Sequence, residues 1–135
     1  MALLTVKNLS VGYHTRKGFL KSVQGVSFAL DQGKSLGLVG ESGCGKTTIG
    51  MALIGLLPDN ASVTDGKILF EDQDLLKMSK KKIRQVRWKK VAMIFQAAMN
   101  ALNPVHRVSE QISEAILAHD DDISEEAAMK QVEKL

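Results

Sequence analysis

Apolar and polar positions partly alternate along Leu3–Leu9 and Val23–Leu30, and both stretches carry β-branched residues. The pattern predicts two strands around a polar turn at Thr15–Gly18. The turn residues Asp31-Gln32-Gly33 follow. Residues 35–39 (Ser-Leu-Gly-Leu-Val) then form a run with no polar face, as expected of a strand buried on both sides in a parallel sheet. From Lys46 a helical pattern runs to Leu57, where Pro58-Asp59-Asn60 stops it. After a segment of small and polar residues, Lys67–Phe70 reads as a short strand. Ser79 caps a helix expected over 80–87, although lysines in its first turn oppose the helix dipole. Residues 91–95 (Val-Ala-Met-Ile-Phe) form a second all-apolar run, expected as a core strand. Beyond Asn103-Pro104, Val108, Ile112, Ala115, Ile116 and Leu117 follow helical spacing. A last helix is expected from Ser124, with Glu125 and Glu126 in its favourable first turn, running into Leu135.

Composition narrows the class. The 135 residues suit one domain; 44% are hydrophobic and 24% charged, with 11 Gly and 2 Pro, which excludes disordered, collagenous and disulfide-rich classes. The longest apolar stretches, such as Met51–Leu57, fall far short of a membrane span, and the N-terminus lacks a basic region followed by an apolar one. A soluble intracellular protein is the expectation. The single cysteine, Cys44, makes no internal disulfide and agrees with a reducing compartment. The net charge of +3 conceals two blocks. Eight basic residues and no acid lie between Lys77 and Lys90, and without them the charge is −5. From Glu110 onward eight acids face only Lys130 and Lys134. The chain is polarised rather than basic.

Candidate chemistry centres on Gly40-Glu41-Ser42-Gly43-Cys44-Gly45-Lys46-Thr47, which fits G-x-x-x-x-G-K-[ST], the phosphate loop or Walker A pattern, in the required place between a buried strand and a helix. A polyphosphate is a dense anion, and backbone amides pointing inward at the positive end of a helix bind it with few side-chain charges. Gly40, Gly43 and Gly45 let the backbone curl close to the phosphates. Lys46 is expected to reach the β- and γ-phosphates, Thr47 to ligate Mg²⁺, and Thr48 to donate to the α-phosphate. Cys44 has two readings: a small tolerated residue, or a reactive thiolate favoured by the helix N-terminus and Lys46.

The loop alone permits a kinase, a GTPase or a transport motor. The apolar run 91–95 delivers a single glutamine, Gln96, fifty residues after Lys46. Here the sequence resembles the ATP-binding subunits of ABC transporters, whose phosphate loop commonly reads G-x-S-G-x-G-K-[ST] and whose glutamine loop follows such a strand. Residues 93–105 (Met-Ile-Phe-Gln-Ala-Ala-Met-Asn-Ala-Leu-Asn-Pro-Val) resemble the oligopeptide, dipeptide and nickel importer branch, with its F-Q-x-x-M-x-x-L-N-P segment. The resemblance covers nearly the whole chain. It implies an α/β fold: an incomplete RecA-like P-loop NTPase core (34–58 and 90–96), an antiparallel β subdomain (1–33 and 62–76) and the start of a helical subdomain (97–135).

By the same resemblance, Gln96 contacts Mg²⁺ and the attacking water, acting in catalysis with Lys46. Tyr13, in a loop-like setting, stacks on adenine or is a packing residue. Ala97–Val108 receive a membrane permease subunit, with Met99, Leu102 and Pro104 as contacts or as local core. A second ATP-binding subunit is implied in a head-to-tail dimer on the cytoplasmic face of the membrane. The basic block reads as a solvated helix, with an anionic membrane surface or nucleic acid as alternatives. The aromatic interleaving of single-strand binders is absent, so no nucleic-acid partner is expected. The family's L-S-G-G-Q-like segment, Asp-Glu strand and later histidine are not found. The chain therefore reads as the N-terminal part of such an ATPase, expected to bind nucleotide weakly with little hydrolysis. Two rivals stand beside this reading: a small P-loop phosphotransferase and a noncatalytic regulatory nucleotide-binding fragment.

Overall fold

The computed structural model describes residues 2–96, 101–120 and 122–135. They form two compact units, Met1–Val91 and Ala92–Leu135. In the first, β1 (Ala2–Thr15) and β2 (Gly18–Asp31) make an antiparallel hairpin. Its turn falls where the polar residues predict it, and the Thr15 hydroxyl donates to the Gly18 carbonyl at 2.7 Å. Helix α1 (Lys46–Leu53) follows, then β3 (Ala61–Phe70), β4 (Gln73–Asp74), a 3₁₀ turn (Leu75–Lys77) and α2 (Lys80–Val86). The sheet order is β2-β1-β3-β4, antiparallel throughout.

The core sits where α1 lies on this sheet. Val6, Leu9 and Val11 of β1 are buried with Val23, Ile68 and Phe70, and α1 contributes Ile49 and Ala52. The odd step from Val6 to Leu9 is taken up by an irregularity in both ladders of β1, which returns Leu9 to the core face. Asn8 adopts φ 50° there, with its amide donating to Ser27 Oγ at 2.8 Å and its side-chain amide to Asp65 Oδ2 at 2.7 Å. Gly66, opposite, has φ +102°, and a Cβ on it would stand 2.6 Å from the carbonyl oxygens of Lys7 and Asn8. Glycine is required there. The β3–β4 turn places Glu71 and Asp72 both at positive φ, as a two-residue hairpin turn demands.

Several expectations change. Strand β3 begins at Ala61, not Lys67, because pairing with β1 recruits the polar residues before it. Helix α1 ends at Leu53, short of Leu57: Gly55 turns left-handed, and Arg87 donates from Nε to the Ile54 carbonyl at 2.6 Å and from its guanidinium to the Gly55 carbonyl. Tyr13 lies within β1, paired with Leu20 and Ala61, and not in a loop.

Residues 35–39 and 92–95 are not strands. A strand exists through its hydrogen-bond ladder, and among the described residues neither run has one. Val39 is 98% exposed, and Val91 makes only an isolated bridge to Arg87. The second unit pairs α3 (Val108–Leu117) with α4 (Glu125–Val132) around Ile116 and Ala128. Ser79 and Ser124 cap α2 and α4 as expected, accepting from the Lys82 and Ala127 amides. Helix α4 ends at Val132, three residues before Leu135.

Candidate functional site

The glycine-rich loop enters α1 through Gly45, a left-handed N-cap with φ 95°. A Cβ at Gly45 would stand 3.0 Å from both the Ser22 carbonyl oxygen and Val23 Cγ2, so β2 forms a wall against which only glycine fits. Ile49 is the residue whose amide first closes a helical bond, to Gly45 at 2.9 Å. The amides of Lys46, Thr47 and Thr48 therefore have no acceptor within the helix, and no side chain caps them. No acid occupies the first turn. Such a helix start favours an anion.

Lys46 curls back over its own loop. Its Nζ donates to the Gly40 carbonyl at 2.7 Å and the Glu41 carbonyl at 2.6 Å, and lies 3.4 Å from Cys44 Sγ. Gly40, Glu41, Ser42, Gly43 and Cys44 are exposed, as is Thr47, whereas Thr48 is buried. The Tyr13 hydroxyl lies 3.0 Å from Thr48 Oγ1, and Ser22 Oγ lies 3.5 Å from the same atom. The loop thus gathers amides, one ammonium and the Thr47 and Thr48 hydroxyls, a donor set that suits a polyphosphate. Nothing in the one-dimensional pattern signals Ser22 or the Tyr13–Thr48 contact, since the partners are 26 and 35 residues apart.

Gln96 belongs to the second unit, exposed in a turn. Ala97–Asn100, including Met99, lie outside the described residues. Leu102, Pro104, Val105 and Val108 are exposed. Gln111, which sequence reasoning passes over, braces this turn: its Oε1 accepts from the Asn103 amide at 2.8 Å, and its Nε2 donates to the Asn103 and His106 carbonyls. Among the described residues no three His, Cys, Asp or Glu side chains gather into a metal site. Nor is any helix among them long and apolar enough to cross a membrane.

The family described as ABC transporter matches residues 23–135. The dipeptide transport ATP-binding protein DppD of Bacillus subtilis (strain 168) is 46% identical over 131 residues, covering 96% of this chain and 39% of that protein. The oligopeptide transport ATP-binding protein OppD of the same organism is 42% identical over 134 residues, covering 98% and 37%. The chain spans about two fifths of the length of these curated relatives. Among solved structures, the ATP-binding cassette MJ0796, in a post-hydrolysis dimer with ADP and Pi, superposes with a TM-score of 0.75 at 17% identity, over 97% of this chain and 54% of that one. A second dimeric structure of MJ0796, a bacterial ABC transporter cassette, gives 0.76 at 20% identity, over 95% and 53%. These likenesses show an α/β, P-loop NTPase-like fold.

Proposed function

The chain belongs to the ABC transporter family, and on that premise we propose that residues 40–48 bind ATP with Mg²⁺ as part of the motor subunit of a peptide importer. The observation that carries this reading is the Lys46 ammonium held inside its own loop, at the start of a helix whose first amides have no intrahelical acceptor. A phosphate oxygen entering the loop offers the Lys46 ammonium an anionic acceptor in place of neutral carbonyls, and gives the helix-start amides an acceptor besides. The loop amides of 41–47 cradle the β-phosphate, Lys46 spans the β- and γ-phosphates, and the Thr48 hydroxyl serves the α-phosphate. Thr47, exposed at the loop mouth, would hold Mg²⁺. The Tyr13 ring stacks on adenine. When bound, Mg²⁺ neutralises charge on the phosphates and aligns them for attack by water.

Gln96 is the residue we assign to sensing the γ-phosphate, and Ala97–Val108 to the surface that receives a permease subunit on the cytoplasmic face of the membrane. A second ATP-binding subunit completes the site in a head-to-tail dimer. The names of the relatives, dipeptide and oligopeptide transport ATP-binding proteins, favour peptides over nickel as the transported solute.

Cys44 offers a direct test, being the single cysteine of the chain, exposed, and inside the loop. Saturating MgATP is expected to slow its alkylation by at least about tenfold, because bound phosphates cover the loop. Equal labelling rates with and without MgATP would contradict the assignment.

A further inference from the structure

Resting on the phosphate-site reading above, we infer that the Tyr13 phenol is a positioning residue for the phosphates, a task separate from that of its ring. Tyr13 lies in the middle strand of the hairpin and β3 pairing, yet its hydroxyl crosses to α1 and meets Thr48 Oγ1 at 3.0 Å. Ser22 Oγ of β2 approaches the same oxygen at 3.5 Å. Thr48 is only 8% exposed, so its hydroxyl takes its orientation from protein partners rather than from water.

The direction of the bond follows from counting protons. Each hydroxyl owns one proton and two acceptor lone pairs, whereas a phosphate oxygen only accepts. If Thr48 spends its proton on Tyr13, it has nothing to give a phosphate. If Tyr13 donates, which suits a phenol, the stronger donor of the two, Thr48 keeps its proton free and becomes a better donor through polarisation of the chain. Ser22 Oγ, at 3.5 Å, is too distant for a normal O–H···O bond and flanks this pair without joining it. The Tyr13 and Thr48 hydroxyls therefore form a one-way relay in which β1 sets the Thr48 proton toward the ligand. The same contacts fix the start of α1 against the hairpin, where Gly45 already abuts Ser22.

Tyr13→Phe keeps the ring and removes only the donor, and inorganic tripolyphosphate offers phosphates without adenine. The relay predicts that Tyr13→Phe weakens MgATP and tripolyphosphate by the same factor, about three- to tenfold. In a Thr48→Val background Tyr13→Phe is expected to add nothing, and Thr48→Ser is expected to retain wild-type binding. Each variant's far-UV circular dichroism reports that it is folded. Tyr13→Phe with unchanged affinity for both ligands overturns the inference, as does a loss that persists undiminished in Thr48→Val. Wild-type protein that binds neither ligand overturns the phosphate-site reading itself, and the relay with it.

Discussion

Lys46 shows how a single side chain links the loop's shape to its chemistry. Its ammonium satisfies itself on the Gly40 and Glu41 carbonyls, which ties the start of the loop to the first residue of α1 and keeps the loop curled. Glycine matters equally at Gly66, for a different reason. Its φ of +102° and the 2.6 Å approach of the Lys7 and Asn8 carbonyls leave no room for a Cβ, and backbone cannot move aside as a flexible side chain can. Gly66→Ala is therefore expected to destabilise the first unit by at least about 2 kcal/mol, through left-handed strain and steric conflict together. Urea unfolding followed by circular dichroism checks this, and a midpoint within error of wild type would show that the bulge relaxes freely. The Lys90–Glu71 pair contrasts with this site: both side chains are about half exposed, so its removal should cost less than about 1 kcal/mol.

At the scale of elements, α1 is fastened at both ends. The hairpin grips its start through Gly45 and Thr48, and Arg87, reaching from the residue after α2, grips its end through the Ile54 and Gly55 carbonyls. One member of the basic block thus has a structural duty that charge counting misses. Arg87→Ala is expected to cost about 1–3 kcal/mol, since charge-assisted bonds are lost at the partly buried Ile54 carbonyl and the exposed Gly55 carbonyl, while Arg87→Lys should restore part of this. Thermal unfolding of the two variants checks the order; equal melting temperatures for Arg87→Ala and wild type would contradict it. The hairpin, the helix start at Lys46 and the Ser79 and Ser124 caps were legible in the sequence because each depends on residues close in the chain. The first half of β3 was not, because Ala61–Gly66 acquire strand structure only by pairing with β1. The apolar runs 35–39 and 92–95 misled for the complementary reason: apolar composition states a preference for burial but supplies no hydrogen-bond ladder. The Tyr13–Thr48 contact was illegible because only the folded hairpin brings β1 over α1.

Taken as a whole, the molecule divides its labour between two units. The first holds the glycine-rich loop beside an antiparallel sheet, and the second carries Gln96 and the helix pair α3–α4. Net charge follows the same division, with the basic block in the first unit and the acidic stretch in the second. The proposed task of the first unit is to bind a nucleotide polyphosphate through Lys46. Isothermal titration of MgATP into the wild-type chain and into Lys46→Ala, with circular dichroism confirming that both are folded, tests that proposal most directly. Saturable binding to one site is expected in the wild type, weakened at least about a hundredfold by Lys46→Ala as a charge-assisted contact of roughly 3 kcal/mol is lost. Wild-type protein that releases no heat and shows no binding, or a Lys46→Ala variant that binds as tightly as wild type, would contradict it.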